Sequence, residues 1–508
     1  MITPFRTPEG RKLHENNATD KGDVAFSPWL AWGAVAVGCA LRLIHYLSNP
    51  SLWMDEALLA LNIISRPLEM LLGLPLAFQQ GAPPGFLILE RSAVVLFGPS
   101  ELALRLFPLL AGLCSLLLML LLCRRIFGER ETFFIVAFFA VIPSLINYSA
   151  EVKQYSTDVM IAVGLLLVTE HLRREKLFTR NMIPAMLCGV AGVWFSHPAI
   201  FVLAGAGTVA AMLAIAEKRW GDVYRLSFVG IVWLSSFGLF YVFSLHNMNF
   251  YRFMLGYYGE EYAFTDIMGP IRLVRDGFMD IFQRTLRLDY AFFAAGASLA
   301  GCWLMLRRNW RQLLFLLAPV GFCLLASGLD LYPFKDRMLL FVAPIATILI
   351  GTTAARATAE RRTLVAKILG MIFVVALFVC PIRRMYYDGV DGYEEERVRP
   401  AMSFLAQRTS DRPEDLLYVY HDTIPAFRYY RATDNFRIDA PVVEAGAAFN
   451  SDEKTRLRNA SEDKRWIWIL FSHSRTKEQR RVLEFMRTIG KKRGHWETEG
   501  ARIYLYER

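Results

Sequence analysis

Eleven apolar runs long enough to cross a lipid bilayer dominate this sequence of 508 residues. A hydrocarbon core about 30 Å thick needs about 20 mostly apolar residues in a helix. The composition, 54% hydrophobic and 13% aromatic, also indicates a polytopic α-helical membrane protein. The predicted spans are residues 26–47, 103–124, 131–149, 157–172, 182–197, 199–216, 226–245, 290–306, 312–329, 338–355 and 363–381.

The formal net charge of +10 does not indicate nucleic-acid binding, because the Lys and Arg residues lie mostly in short loops between the apolar runs. Such loops are typical of the cytoplasmic side of a membrane protein. With residues 1–24 as a cytoplasmic tail, every inside loop is basic, whereas the outer loops other than 246–289 carry few cations. The charge asymmetry therefore predicts an N-terminus inside and a C-terminus outside.

Two stretches of the first outer loop are predicted to lie along the membrane surface rather than to cross it. Residues 86–97 carry Glu90 and Arg91 at their centre, and burying both charges at mid-bilayer would cost roughly 5 to 7 kcal/mol. Residues 55–72 have helical apolar spacing interrupted by Pro67, as expected of an interfacial helix.

The composition changes after the last apolar run, and three predicted domains result. Residues 1–24 form the tail, 25–381 the transmembrane domain, and 382–508 an extracytoplasmic soluble α/β domain with strands at 416–420, 466–471 and 502–506. All seven cysteines lie within or at the edge of apolar runs without metal-ligand spacing, so we expect neither disulfides nor a cysteine metal site.

The adjacent acids Asp55 and Glu56 follow the first span at the predicted outer surface. A carboxylate with reduced hydration can serve as general base toward an acceptor hydroxyl, which suggests this role for Asp55. Glu56 would orient it or bind sugar hydroxyls. The simpler alternative is that Asp55 caps a helix and Glu56 is a first-turn acid favoured by the helix dipole.

A second polar cluster occupies the short turn at residues 148–158. If it is helical, Glu151, Tyr155 and Asp158 share one face, suited to a sugar or a divalent cation, while Lys153 points elsewhere. The alternative is an ordinary polar cap with a surface pair between Glu151 and Lys153. A divalent cation is considered with Asp55, Glu151 and Asp158 as its ligands, and no cofactor is otherwise predicted.

Cations and aromatic residues in later outer loops complete the set of candidate substrate-binding residues. Lys335 and Arg337, preceded by Tyr332, stand at the mouth of a span and could anchor a lipid phosphate. The alternative is that Lys335 and Arg337 anchor the chain at the membrane interface, with Asp336 as their partner. His197, between two spans, is a binding candidate or a polar residue beside a hinge.

Five motifs follow one another within residues 25–355: Leu52 to Glu56, Gln79 to Pro84, Leu96 to Gly98 with Arg105, Pro143 with Tyr148 to Glu151, and Tyr332 to Phe334 with Arg337. As an ordered set they resemble the bacterial GT-C glycosyltransferases, which include protein O-mannosyltransferase-like and lipopolysaccharide-modifying enzymes. The resemblance implies a catalytic acid in the first outer loop, matched by Asp55, and another acid in the second, matched by Glu151 or Asp158. It also implies a polyprenyl-phosphate sugar donor attacked with inversion.

These observations predict a membrane glycosyltransferase that moves a sugar to an extracytoplasmic hydroxyl of a glycan, lipid or protein. We expect a multi-pass protein of the bacterial inner membrane, in contact with membrane lipid. Two other classes of function remain open: a flippase or exporter of lipid-linked sugars, and a noncatalytic scaffold of an envelope-polysaccharide complex. A flippase should carry charged residues deep in its spans or paired repeats with broken helices.

Overall fold

The computed structural model describes residues 26–174, 179–244, 269–359, 363–390, 397–433, 436–473, 476–498 and 500–508. The predicted cytoplasmic tail and residues 245–268 of the long outer stretch lie outside these ranges. Most of the described chain up to residue 390 is helical. The helices are α1 (Pro28–Ser48), α2 (Met54–Ser65), α3 (Leu68–Gly73), α4 (Pro84–Phe97), α5 (Glu101–Ile126), α6 (Glu129–Val141), α7 (Pro143–Asn147), α8 (Tyr155–Arg174), α9 (Thr179–Phe195), α10 (Ala199–Ala216), α11 (Trp220–Phe243), α12 (Gly269–Asp280), α13 (Ala291–Gly328), α14 (Ala343–Ala357) and α15 (Leu364–Val390).

Within the described ranges, eight helices are long and apolar enough to cross a membrane, or nine if α6 and the bent segment Pro143–Ala150 form one span. Helix α13 is interrupted at Asn309, whose φ of −157° and ψ of 82° are not helical, between the predicted spans 290–306 and 312–329. The run at 182–197 lies in α9, whose apolar part Met182–Phe195 is shorter than a usual span. The count of eleven therefore stays a prediction.

The two stretches predicted to lie on the membrane are short helices in the structure. Pro67 separates α2 from α3, because the proline ring fixes φ and cannot continue the preceding helix. Helix α4 carries Glu90, which is fully buried, and Arg91, which donates to the carbonyl oxygens of Ile63 and Ile64 at 2.9 and 3.1 Å. Arg91 thus ties α4 to the end of α2, and their interfacial position stays a prediction.

The chain after residue 397 forms a five-stranded mixed sheet with the strand order β2–β1–β3–β5–β4. Strand β1 is parallel to β2 and β3, while β5 is antiparallel to β3 and β4. The strands predicted near 416–420, 466–471 and 502–506 are formed, because these buried β-branched and aromatic runs suit a sheet covered on both faces. The remaining elements are α16 (Val398–Thr409), β1 (Leu416–Val419), α17 (Ile424–Thr433), β2 (Val442–Glu444), α18 (Ser451–Ala460), β3 (Trp466–Ser472), α19 (Thr476–Ile489), β4 (Lys491–Thr498) and β5 (Ala501–Glu507).

One face of the sheet shares an apolar core with the segment after α1 that the sequence predicts as the first outer loop. This core joins Leu52 and Phe86 to Leu417 and Tyr430. Hydrogen bonds reinforce it, since the backbone N–H of Leu52 donates to the Tyr430 hydroxyl at 2.6 Å and the Tyr429 hydroxyl donates to the carbonyl oxygen of Pro99 at 2.8 Å. The sheet and its helices therefore pack directly against the region of α2.

Candidate functional site

A cavity of about 810 Å³ opens where α2, the segment around Gln80, the turn at residues 336–337 and the C-terminal region meet. Helix α2 begins with Met54, and its N-cap residue Trp53 makes no side-chain capping bond. The prediction that Asp55 is the N-cap is therefore wrong: Asp55 lies in the first turn, and its carboxylate faces the cavity rather than the helix end.

Asp55 contacts two cations drawn from distant parts of the chain. One carboxylate oxygen, Oδ1, lies 3.0 Å from Lys153 Nζ, and Oδ2 lies 2.7 Å from Arg337 Nη1. Burial alone would raise the pKa of Asp55, but the charges of Lys153 and Arg337 and a hydrogen bond from Gln80 hold this pKa well below its usual range. Asp55 is therefore an ionised carboxylate, and it is a weak base while it is paired with Lys153 and Arg337.

Lys153 lies in a buried bend between the turn Tyr148–Ala150 and the start of α8, so the helical projection that pointed it away from the site does not apply. Its ammonium also donates to Gln80 Oε1 at 2.8 Å. Burial lowers the pKa of Lys153, whereas the charge of Asp55 opposes this shift. The predicted surface pair between Glu151 and Lys153 is not formed, since both side chains are buried and Lys153 pairs with Asp55.

Glu56 faces away from this pair and binds another cation. Its two carboxylate oxygens accept bonds from Arg105, from Nε at 3.1 Å and from Nη2 at 2.8 Å, and both side chains are about 1–2% exposed. Glu56 Oε1 also accepts the backbone N–H of Val152 at 2.8 Å. Glu56 thus fastens the bend that carries Lys153 next to α2, which is a positioning role.

Glu151 and Asp158 lie in the same buried polar region. Burial and the nearby charge of Glu56 raise the pKa of Glu151 to about 7, while Arg287 and Arg337 oppose the shift. Within the described residues, Glu151 Oε2 has no hydrogen-bond partner. Asp158 faces the hydroxyl of Ser196. Among the described residues, no group of three or more His, Cys, Asp or Glu side chains is placed to hold a metal ion. The divalent-cation hypothesis therefore gains no ligand set from these residues.

Arg337 and Lys335, predicted to act together, point in different directions. Asp336 between them has a φ of +50°, which turns the backbone sharply. Arg337 lies over the rings of Trp53 and Tyr155, with 5.8 and 5.6 Å from Cζ to the ring centroids. Lys335 instead lies near Asp276 and Asp280. Burial raises the pKa of Asp280, and the charge of Lys335 is a smaller opposing influence. Its grouping with Arg337 around a lipid phosphate is not supported.

Of the aromatic and histidine candidates, Tyr155 lies in the polar region around Asp55, whereas Tyr332 and His197 contact other parts of the chain. Tyr155 lines the polar region and packs edge-on against Tyr148 at 5.0 Å between centroids. Tyr332 packs against Phe201 and donates its hydroxyl proton to the carbonyl oxygen of Met338 at 3.0 Å, so it braces its own loop. His197 is buried near Phe240, and this burial lowers its pKa to about 4.

The C-terminal region contributes side chains to the cavity that the sequence did not single out. They are His421, Asp422, Arg428 and His473. His421 Nδ1 lies 3.0 Å from Asp422 Oδ1, and the His473 ring lies 6.5 Å from that of Trp53. No local motif marks these residues, because they reach the cavity only through the docking of the sheet on α2.

An apolar groove of about 110 Å³ adjoins this cavity, and Gln79 and Gln80 line both. The walls of the groove come mostly from α3, the segment that follows it, α4 and the end of α11, including Leu72, Leu76 and Phe243. A charged cavity next to a groove lined mostly by apolar residues suits an amphipathic ligand with a polar head and a hydrocarbon tail.

The apolar helices are those of a multi-pass membrane protein, and the fold is similar to that of solved GT-C glycosyltransferases. The family model described as dolichyl-phosphate-mannose-protein mannosyltransferase matches residues 81–245. No curated protein sequence matches the chain. The family match and the shared fold confirm the resemblance that the sequence motifs indicated.

Three solved structures illustrate the shared fold. ArnT from Cupriavidus metallidurans bound to undecaprenyl phosphate is 14% identical, with a TM-score of 0.55 and coverage of 93% of this chain and 97% of that chain. Its apo state is also 14% identical, with a TM-score of 0.51 and coverage of 94% and 98%. The Archaeoglobus fulgidus oligosaccharyltransferase tethered with an acceptor peptide is 12% identical, with a TM-score of 0.52 and coverage of 89% and 70%.

Proposed function

We propose that the protein is a glycosyltransferase that moves a sugar from a polyprenyl-phosphate donor to an extracytoplasmic hydroxyl acceptor. The observation that carries this proposal is the joint contact of Asp55 with Lys153 and Arg337 beside a cavity that Asp55 and Arg337 line and that adjoins a groove lined mostly by apolar residues. The groove suits the start of a polyprenyl tail, and the two cations suit its phosphate. The similar ArnT structure binds undecaprenyl phosphate, which supports the same class of donor.

The proposed reaction is an inverting displacement at the anomeric carbon. The acceptor oxygen forms a bond to this carbon as the bond to the phosphate oxygen breaks, and the acceptor proton passes to Asp55. The leaving phosphate gains negative charge, which Lys153 and Arg337 stabilise. Because both cations also hold the pKa of Asp55 low, their engagement by the donor phosphate would make this carboxylate a stronger base when substrate is bound.

Glu151 is a second candidate base, favoured by its pKa of about 7 and by an oxygen without a hydrogen-bond partner among the described residues. The dependence of kcat/KM on pH separates the two residues. Proton transfer to Asp55 predicts activity that is nearly constant from pH 6 to 8. An acidic limb near pH 7 that disappears in Glu151→Gln would assign the role to Glu151.

The location and orientation belong to the same proposal. We place the protein in a bacterial inner membrane with its N-terminus cytoplasmic and with the cavity and the C-terminal region outside. The acceptor is a hydroxyl of a glycan, lipid or protein that approaches from the side formed by His421, Asp422 and His473, because this side of the cavity belongs to the C-terminal region.

The test uses purified full-length protein in nanodiscs with radiolabelled polyprenyl-phosphate monosaccharides, and with total envelope extract, including its lipids, as the source of acceptors. We expect labelled product with wild type, a loss of at least 100-fold with Asp55→Asn, and retained transfer with Asp276→Asn. Asp276 is a suitable control because it is an exposed acid paired with Arg275 outside the cavity.

A parallel assay in sealed proteoliposomes, where the two membrane faces meet separate compartments, distinguishes the competing functions. Movement of the lipid across the bilayer without sugar transfer would favour a flippase or exporter. Retention of the lipid without transfer or movement would favour a scaffold. Full transfer by Asp55→Asn would refute the proposed role of this carboxylate.

A further inference from the structure

A second cavity, of about 530 Å³, lies at the opposite end of the helices from Asp55. It is formed where α5 passes into α6, where α13 is interrupted at Asn309, and where α14 ends. Helix α14 has 15 residues and separates Arg337, which precedes it, from Arg356, so the two cavities are about 20 Å apart along this helix. The proposed reaction does not use this cavity.

Four guanidinium groups and one carboxylate line this second cavity. The arginines are Arg130, Arg307, Arg308 and Arg356, and the acid is Glu131, which gives a formal excess of three positive charges. Arg308 pairs with Glu131 at 2.7 Å, and Arg307 lies 4.3 Å above the Trp303 ring. Guanidinium groups are well suited to phosphate oxygens because they offer several donors in a planar fork.

Gln312 in the same lining is only 2% exposed. Its Oε1 accepts bonds from Arg173 and Arg174, which can only donate, so the amide nitrogen must face the other way. Within the described chain, this Nε2 has no hydrogen-bond partner. A buried donor without an acceptor is unfavourable by about 1–3 kcal/mol, and an anion in the cavity would supply the acceptor.

The remaining walls of the second cavity are apolar. They include Ile126, Phe127, Leu304 and Met305. A preference for basic residues in cytoplasmic loops accounts for exposed arginines in general. It does not account for a cavity that combines these arginines with a buried amide donor and apolar walls, which together suit a phosphate group attached to a hydrocarbon chain.

We propose that this second cavity binds a phosphate-bearing anion, either the headgroup of an anionic phospholipid of the adjacent leaflet or free phosphate. Binding offsets part of the excess positive charge at the interruption of α13 and supplies the acceptor for Gln312. The site would link α5, α13 and α14 at the end of the molecule opposite the proposed catalytic cavity.

The test is native mass spectrometry of the full-length protein in detergent, mixed with phosphatidylglycerol, phosphatidylcholine or inorganic phosphate at constant ionic strength. We expect at least tenfold preferential retention of phosphatidylglycerol over phosphatidylcholine, and its loss in Arg307→Gln/Arg356→Gln. The matched control is Arg124→Gln/Arg225→Gln, which removes two charges from the same predicted face outside the cavity. This control should bind like wild type.

Gln312→Met provides a second variant of similar size, and it should weaken retention severalfold. Retention of inorganic phosphate alone, with the same dependence on the variants, would identify free phosphate as the ligand. Absence of any preference in wild type, equal losses in the arginine variant and its control, or wild-type binding by Gln312→Met would each overturn the proposal. Because the readout is binding, these outcomes do not depend on glycosyltransferase activity.

Discussion

Arg105 of α5 holds both carboxylate oxygens of Glu56 with two hydrogen bonds of 3.1 and 2.8 Å, and this ion pair is almost completely buried. Arg105 also donates to the carbonyl oxygen of Pro50 at 2.7 Å, while Glu56 accepts the N–H of Val152. One pair therefore connects the end of the first span, α2, α5 and the bend that carries Lys153.

Replacing Arg105 by Lys should destabilise the protein although it keeps the charge. A lysine has no planar fork with which to hold two oxygens, and the remaining buried charge is poorly compensated. We expect a loss of about 2 kcal/mol, seen as a lower thermal unfolding midpoint in detergent. Arg428→Lys is the control, because Arg428 makes an equally two-pronged but exposed pair with Glu444. Equal midpoints for Arg105→Lys and wild type would contradict the assigned role.

Lys153→Gln should weaken the interaction with a polyprenyl phosphate. The substitution removes the ammonium that lies 3.0 Å from Asp55 and leaves Arg337 as the cation in contact with this carboxylate in the described site. We expect binding of undecaprenyl phosphate, followed by tryptophan fluorescence, to weaken at least tenfold. Lys367→Gln, at the predicted inner face, should bind normally. Unchanged affinity in Lys153→Gln would remove Lys153 from the phosphate site.

Glu151→Gln should change how stability depends on pH. The folded-state pKa of about 7 lies above the ordinary value of 4.5, so the folded protein binds a proton more tightly than the unfolded chain. This stabilising contribution is complete below about pH 4.5 and is lost as pH rises through 7. At pH 8 the variant should therefore exceed wild type in stability by up to about 3 kcal/mol, with little difference near pH 4.5. Parallel midpoints of the two proteins from pH 4.5 to 8 would contradict the shifted pKa.

Gly301→Ala should disrupt the contact between α13 and α14. A Cβ atom at Gly301 would lie 2.0 Å from the carbonyl oxygen of Leu349, and a backbone atom cannot give way as a flexible side chain can. We expect a loss of about 1–3 kcal/mol from overpacking. Gly296→Ala on the same helix is the matched control, because nothing lies within 4 Å of its Cβ position. The comparison requires only the unfolding midpoints of the two variants, and equal midpoints would argue against this close approach.

Much of the helical architecture could be predicted from local sequence. Apolar length predicted the candidate spans, Pro67 predicted the break between α2 and α3, and apolar β-branched and aromatic runs predicted three of the five strands. These features depend on residues close together in the chain, where hydropathy, periodicity and proline geometry act directly.

The partners within the candidate site could be predicted only in part. The sequence placed Asp55, Lys153 and Arg337 at one predicted membrane face, but helical projection pointed Lys153 away from the shared face. The bend before α8 brings Lys153 to Asp55 instead, and the positive φ of Asp336 separates Lys335 from Arg337. Single-residue backbone turns of this kind carry little signal in composition or periodicity.

The sequence by itself determined that this chain is a bundle of apolar helices followed by a C-terminal domain with a sheet, because burial in lipid or in a sheet core imposes patterns on neighbouring residues. Only the tertiary structure decided which charges meet. It paired Asp55 with Lys153 and Arg337, and Glu56 with Arg105. It also placed His421 and His473 in the wall of the cavity. An ion pair depends on distances between atoms far apart in the chain, and the packing of helices and sheet sets those distances.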